Sequence, residues 1–357
     1  MDSWPSIENF HILWNMLQIH DVSEFPDSAK GAVLCIGNFD GVHLGHQKML
    51  STGRKLADQR NLAFVVMTFD PHPMRILRPT ATRHPLMTTA QRTESLQQFE
   101  PDVLWLVKTD QAFLNITAED FMRTTMVDAI GAKVVVEGSN FTFGKGAIGT
   151  IHTLRENAAQ YGWELVVIPM QQAVLQDLSL VDVSSSLIRW MIHHGRVTDA
   201  MRLMGHAYTL RGLVAHGDGR GTVLGYPTLN IQSEQLPPGH GVYAGKAVIS
   251  GKMYPAAISV GNNPTFNGTQ TTIEAFVLDF SDSVYEQQVD VQFISWLREQ
   301  YKFPSSKSLI SQIDRDVRQV RQRMAECPDS AAQTGNPGNQ CARHSSGECF
   351  RKEKIGG

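Results

Sequence analysis

His43 and His46 close the segment Gly37-Asn38-Phe39-Asp40-Gly41-Val42-His43-Leu44-Gly45-His46. An apolar run, Ala32 to Ile36, enters this segment and an amphipathic run leaves it, so it reads as a strand-to-helix turn. Gly37, Gly41 and Gly45 let the backbone come close to a phosphate, and the helix start offers unpaired N–H groups and positive dipole character. The two imidazoles lie three residues apart and share one face of the turn. There they can donate hydrogen bonds to charge developing on a phosphate, a form of electrostatic stabilisation. The plainer alternative is a pair of polar residues in a first helical turn. A metal site built on the pair lacks a third ligand at a familiar spacing.

A second constellation lies far downstream. Residues 212–230 are glycine-rich, with Gly217, Gly219, Gly221 and Gly225, and end in Tyr226-Pro227-Thr228-Leu229-Asn230. Glycine richness alone fits either a loop over a nucleotide or a tight barrel turn. Thr228 and Asn230 alternate along an extended segment, so their side chains face the same way. A hydroxyl and an amide oxygen on one side suit a hard cation such as Mg²⁺ with its bridged phosphates. Glu274 stands in an otherwise apolar run, at an exposed strand position or beside a pocket.

Two different kinds of element must position these groups. From Gly31, apolar runs at Ala32 to Ile36, Ala63 to Thr68, Val103 to Val107, Lys133 to Glu137 and Glu164 to Ile168 predict buried strands. Helical segments, Gln47 to Gln59, Ala90 to Gln98, Thr117 to Ala129 and Thr153 to Tyr161, fall between them, and a helix over Ser184 to His194 follows. Strand and helix in alternation imply a Rossmann-like α/β unit, a parallel sheet with helices on both faces and its ligand site beyond the carboxyl ends of the strands. From Tyr208 the pattern turns to short strands punctuated by glycine: Tyr208 to Ala215, Tyr243 to Ile249, Tyr254 to Val260, Thr272 to Leu278 and Gln288 to Phe293. These predict an antiparallel β-barrel. Leu309, Ile313, Val317 and Val320 recur at helical spacing and predict a C-terminal helix over Ser306 to Met324. The expected organisation is an N-terminal extension over 1–30, a first module over 31–195, a second over 200–325, and a polar, disordered tail over 326–357.

At 357 residues the chain exceeds what one core usually organises, which fits two modules. A net charge of −3 and the lack of a dense Lys/Arg stripe argue against a nucleic-acid binder. No apolar run approaches the ~20 residues of a membrane span, and Met1 to Lys30 does not read as a secretion signal. Four cysteines, one in a buried strand (Cys35) and three in the tail (Cys327, Cys341, Cys349), make no disulfide framework and point to a reducing cytoplasm. A zinc site from these tail cysteines and His344 is disfavoured by their irregular spacing.

The H-x-G-H sequence resembles that of the nucleotidylyltransferase superfamily. More narrowly, the chain resembles the bacterial bifunctional riboflavin kinase/FAD synthetase (FMN adenylyltransferase) family over residues 31–320. That resemblance rests on Phe69-Asp70-Pro71-His72-Pro73, Glu137 to Gly144, Val183-Ser184-Ser185-Ser186-Leu187-Ile188-Arg189, the P-T-x-N signature at Thr228 and Asn230, Gly261 to Phe266, and Ile273-Glu274-Ala275-Phe276. It implies phosphorylation of riboflavin to FMN by ATP, then adenylylation of FMN to FAD with release of pyrophosphate, both with Mg²⁺. It gives His43 and His46 to adenylyl transfer, with Gly37, Phe39, Asp40, Gly41, Gly45 and the Gly217 and Gly221 loop around nucleotide phosphates. Ser184 and Ser185 open a helix and can hold the β- and γ-phosphates, with Arg189 one turn on pairing with the same oxygens. The resemblance places the flavin near Asp70, His72, Pro73 and Asn140, and makes Glu274 the general base on the ribityl hydroxyl. Arg298 and Phe303 resemble the segment that closes over the flavin ring.

Many relatives carry a basic residue where this chain has Thr142, and again near Ala147 and Leu187. Two alternatives therefore stand beside the two-activity reading. One is a riboflavin kinase with weakened or lost adenylyltransferase activity; the other is a different nucleotidylyltransferase with an accessory barrel. The expected partners are the small molecules riboflavin, FMN and ATP, with neither nucleic acid nor membrane, and the sequence leaves the oligomeric state open.

Overall fold

The computed structural model describes residues 16–78, 84–217, 220–265 and 268–326. The predicted tail, with Cys327, Cys341, His344 and Cys349, lies outside the described residues. Six strands, Leu17–Ile19 (β1), Val33–Ile36 (β2), Phe64–Asp70 (β3), Val103–Lys108 (β4), Val134–Gly138 (β5) and Glu164–Ile168 (β6), form one sheet in the order β1-β4-β3-β2-β5-β6. Every adjacent pair is parallel. Parallel sheets are covered on both faces, which is why their strands read as continuous apolar runs. Here Val33, Cys35, Phe64 and Val66 pack on one face with Met49, Leu50 and Ala57 of helix α1 (Leu44–Arg60). The alternate residues Leu34, Ile36, Val65 and Met67 pack on the other face with Phe121, Met122, Met126 and Leu154.

Further helices, α2 (Thr89–Gln97), α3 (Ile151–Tyr161), α4 (Ser185–His193) and α5 (Val197–Met204), complete the first module and lead to the second. Three local features depart from the sequence expectation. Leu17–Ile19, counted in the N-terminal extension, pairs in register with Val103–Trp105 at the sheet edge. The helix expected over Thr117 to Ala129 is a single α turn followed by a wider π-helix at Phe121–Ala129, and the Ile130 N–H beyond it donates to the Thr125 carbonyl at 3.2 Å. A small hairpin, Gln172–Val174 with Leu180–Asp182, sits between β6 and α4.

The second module is a closed antiparallel barrel. Its strands are Tyr208–Ala215 (β7), Leu229–Gln232 (β8), Gly241–Ile249 (β9), Lys252–Thr265 (β10), Gly268–Val277 (β11) and Gln288–Arg298 (β12), ordered β7-β8-β11-β10-β9-β12. Tyr208, Leu210, Val214, Tyr243, Val291 and Phe293 fill the interior, with Leu86 and α4–α5 of the first module joined to the same core. The final helix, Ser306–Glu326 (α6), lies against the barrel through Val320, and Asp316 on it forms an ion pair with Arg298.

Candidate active sites

The strand order reverses between β2 and β5, the place where open α/β sheets bind ligands. The two strands pair only at Val33–Val134 and Leu34–Val135, then diverge. Beyond that point the Ile36 N–H donates at 2.7 Å to the carboxyl of Glu137, which reaches across from β5. Glu137 is fully buried, and burial pushes its carboxyl well above the usual range. Its side chain thus closes the hydrogen bond that the parting ladder leaves open. The only sequence signal for this was a charged residue inside an apolar strand.

The loop after β2 runs directly into α1. Phe39, Gly41 and Val42 all have positive φ, the first and last unusual for residues with a side chain. Such a backbone needs external holders. Asn38 is held by Arg92, which donates to its carbonyl at 3.1 Å and to the Phe69 carbonyl at 2.7 Å. Val42 is held by Gln47, whose amide donates to the Val42 carbonyl and to Met204 of α5 at 2.8 and 2.7 Å.

Asp40 is the centre of this bracing. Its carboxylate accepts from the Leu86 and Met87 backbone N–H groups at 2.9 and 3.1 Å and forms an ion pair with Arg189. Arg189 also donates to the Ser185 carbonyl, and the Ser185 hydroxyl donates to the Asp40 carbonyl at 2.9 Å. Ser184 is the N-cap of α4, accepting from the Leu187 N–H at 3.2 Å. Arg189 thus divides its two terminal nitrogens between the Asp40 carboxylate and the Ser185 carbonyl, and both serine hydroxyls bond within the protein.

His43 is the N-cap of α1, and its Nδ1 accepts from the His46 N–H at 3.4 Å. The two rings stack with centroids 3.7 Å apart. Burial pushes His43 down to about 4 and His46 well below the usual histidine range, so both rings are neutral at pH 7. With Nδ1 of His43 accepting, its proton sits on Nε2, which is then a donor. The buried Nδ1 of His46 and Oδ1 of Asn38 have no hydrogen-bond partner among the described residues, hydrogen-bonding capacity that a ligand can use.

Asp70 ends β3 and accepts from the Thr89 hydroxyl at 2.8 Å. His72 caps the short helix Pro73–Leu77, its Nδ1 accepting from the Met74 N–H at 3.1 Å, with Pro73 as the first helical residue. Asp40, Asp70 and His72 line one cleft of about 460 Å³. Asn140, in the turn after β5, is exposed and is not among the residues lining that cleft.

On the barrel, Asn230 of β8 stands directly opposite Glu274 of β11, with Ala215 of β7 on its other side. Ile231, Ile273 and Ala275 point into the core, so Asn230 and Glu274 share the outer surface. A Cβ on Gly217 would collide with the Asn230 amide, and one on Gly221 with the Tyr226 carbonyl close to Thr228. Gly217 and Gly221 therefore approach Asn230 and Thr228 closely. Arg298, expected near the flavin ring, is bidentate to Asp316 of α6, and its guanidinium lies 5.7 Å from the Phe303 ring. In this structure the pair ties the helix to the barrel.

Residues 25–181 match the family described as FAD synthetase, and residues 204–324 match the family described as riboflavin kinase. A bifunctional riboflavin kinase/FMN adenylyltransferase of Bacillus subtilis is 32% identical, the match covering 81% of this chain and 91% of that one. The chain belongs to the bifunctional riboflavin kinase/FMN adenylyltransferase family. Relatives of the same description from Haemophilus influenzae (33% identity, 81% of this chain, 92% of the relative) and Escherichia coli K12 (30%, 85% and 96%) agree. A solved structure titled as a macrolide-efflux protein from Streptococcus pneumoniae shares the fold, with a TM-score of 0.76 and 30% identity over 86% of this chain and 98% of its own. Among the described residues, no helix of this chain is long and apolar enough to cross a membrane.

Proposed function

We propose that the family's two reactions divide between the modules as follows. The β2–α1 loop transfers the adenylyl group of ATP to FMN, and the outer surface of the barrel around Thr228, Asn230 and Glu274 transfers the γ-phosphoryl group of ATP to riboflavin. The observation that carries the first half is the stacked, neutral His43–His46 pair at the point where the strand order reverses.

In adenylyl transfer the FMN phosphate attacks the α-phosphorus of ATP in line, and pyrophosphate leaves. Neutral imidazoles suit this step. Each donates an N–H toward oxygens that gain negative charge, and neither has to lose a proton first. The N-terminus of α1 adds backbone N–H groups on the same side. Asp40 and Arg189 act on the loop's shape, holding the strained backbone that aims His43.

In the kinase reaction Glu274 accepts the proton of the ribityl 5′-hydroxyl as that oxygen attacks the γ-phosphorus. Its place beside Asn230 brings a base and a phosphate-facing amide onto one rung of the sheet. Thr228 and Asn230 are hard oxygen donors beside Gly217 and Gly221, a fitting donor set for Mg²⁺. The ion, when bound, neutralises charge on the phosphate oxygens. The cytoplasm, where the buried thiol of Cys35 stays reduced, is the proposed location.

Incubation with riboflavin, ATP and Mg²⁺, with the flavins separated over time, tests this reading. FMN should rise first and FAD follow. FMN without FAD would overturn the assignment of the first module, and riboflavin left unconverted would overturn that of the barrel.

A further inference from the structure

We propose that the barrel supplies one wall of the FMN site used for adenylyl transfer, through an outward-facing row formed by Gln232, Leu213 and Gln288. This rests on the assignment of the first module as the FMN adenylyltransferase.

The row follows from the register. Leu213 of β7 pairs with Gln232 of β8 on one side and with Gln288 of β12 on the other. Directly opposed residues in an antiparallel sheet point to the same face. The neighbours of Leu213 on its own strand, Gly212 and Val214, are buried, so Leu213, Gln232 and Gln288 all face outward. Leu213 is 54% exposed, unusual for a large apolar side chain.

All three residues line the cleft of about 460 Å³ whose opposite wall carries Asp40, Asp70, His72 and Arg92. That volume lies within the range of small-molecule sites, which are apolar surfaces with a few placed polar groups. An apolar side chain flanked by two primary amides is such a surface. Leu213 can lie under a flat ring, while each amide has a donor and an acceptor for a ring edge of carbonyl and N–H groups. The isoalloxazine of FMN has both features. Its phosphate would then point toward the β2–α1 loop, because Asp40 of that loop lines the same cleft.

The wall is fixed relative to the first module. Arg211, two residues from Leu213 on the same face, bonds Glu94 of α2 at 2.6 and 3.0 Å while holding Asp290 of β12. Gln235, 1% exposed, donates to the Leu86 carbonyl at 2.8 Å and to the Thr209 carbonyl at 3.0 Å. Leu86 in turn donates to Asp40. The barrel wall and the adenylylation loop therefore share one hydrogen-bonded frame.

The test is steady-state FAD formation from FMN and ATP by the full-length Leu213→Ser and Gln288→Ala variants. Both positions are on the surface, and riboflavin phosphorylation by the same preparations reports that the barrel is folded. The KM for FMN should rise about tenfold in Leu213→Ser and rise also in Gln288→Ala. In both, kcat and the KM for ATP should stay within about twofold, since a lost ring contact is uniform binding. An unchanged KM for FMN, or a fall in kcat alone, would overturn the proposal. Failure of the wild-type protein to convert FMN would instead overturn the assignment on which it rests.

Discussion

Replacing Arg189 by methionine keeps most of the side chain's apolar bulk and removes the partner of a buried carboxylate. Asp40 and Arg189 have side chains only 5% and 13% exposed, so solvent cannot replace the lost charge. Breaking a buried pair from one side costs about 3–5 kcal/mol, and the N–H groups of Leu86 and Met87 remain on Asp40, which points to the lower end. For a module of this size about 3 kcal/mol corresponds to roughly 6–12 °C in Tm. Asp40→Asn should cost a similar amount by stranding the guanidinium. The double variant strands neither charge, so it should lose less than the sum of the singles, by about 2 kcal/mol or more. Thermal unfolding by near-ultraviolet circular dichroism supplies the midpoints. FAD synthesis, measured well below them, should fall in all three variants while riboflavin phosphorylation holds. Additive losses, or a shift under about 2 °C in Arg189→Met, would refute the idea that this pair braces the loop.

Acidification provides another test. The folded pKa of His43 is depressed from 6.5 to about 4, so its stabilising neutrality is fully present above pH 6.5 and lost as pH falls toward 4. Linkage gives a loss of about 2 kcal/mol at pH 5 from this group. His46, shifted in the same direction, adds to it. His43→Gln should flatten that part of the urea-midpoint profile, and an unchanged slope between pH 7 and pH 5 would count against the burial. Gly217→Ala should lower riboflavin phosphorylation at least about tenfold by displacing Asn230, with FAD formation from supplied FMN unaffected; a normal kinase rate would contradict the close packing. Glu137→Ala should slow FAD formation, whereas Glu137→Gln, which still accepts from the Ile36 N–H, should keep most of it. Equal loss in both would show that the acid does more than hold the strand end.

Much of this fold was legible because its determinants are local. Runs such as Ala32 to Ile36 and alternations such as Tyr208 to Ala215 carry their burial in their own pattern. Three-residue Leu17–Ile19 carries none, with two of its positions exposed, and only its pairing with β4 makes it a strand. The π-helix at Phe121–Ala129 has the same apolar spacing as an ordinary helix, so periodicity could not distinguish them.

The sites divide along the same line. The capping of α1 by His43, and the shared face of Thr228 and Asn230, follow from residues close in sequence. Asp40 and Arg189 are 149 residues apart, and Ile36 and Glu137 are 101 apart. Only the folded sheet brings them together. For the same reason the pairing of Arg189 and Arg298, each with a buried aspartate, is invisible in the sequence.

On this reading the two reactions use two separate sets of residues on one chain. Its most direct test mixes two crippled variants, His43→Ala/His46→Ala and Glu274→Ala, in riboflavin, ATP and Mg²⁺. The histidine variant alone should stop at FMN, and the Glu274 variant alone should leave riboflavin untouched while still converting supplied FMN. Together they should make FAD, because FMN released by one is substrate for the other. Loss of FMN formation in the histidine variant, or a mixture that never makes FAD, would contradict the account.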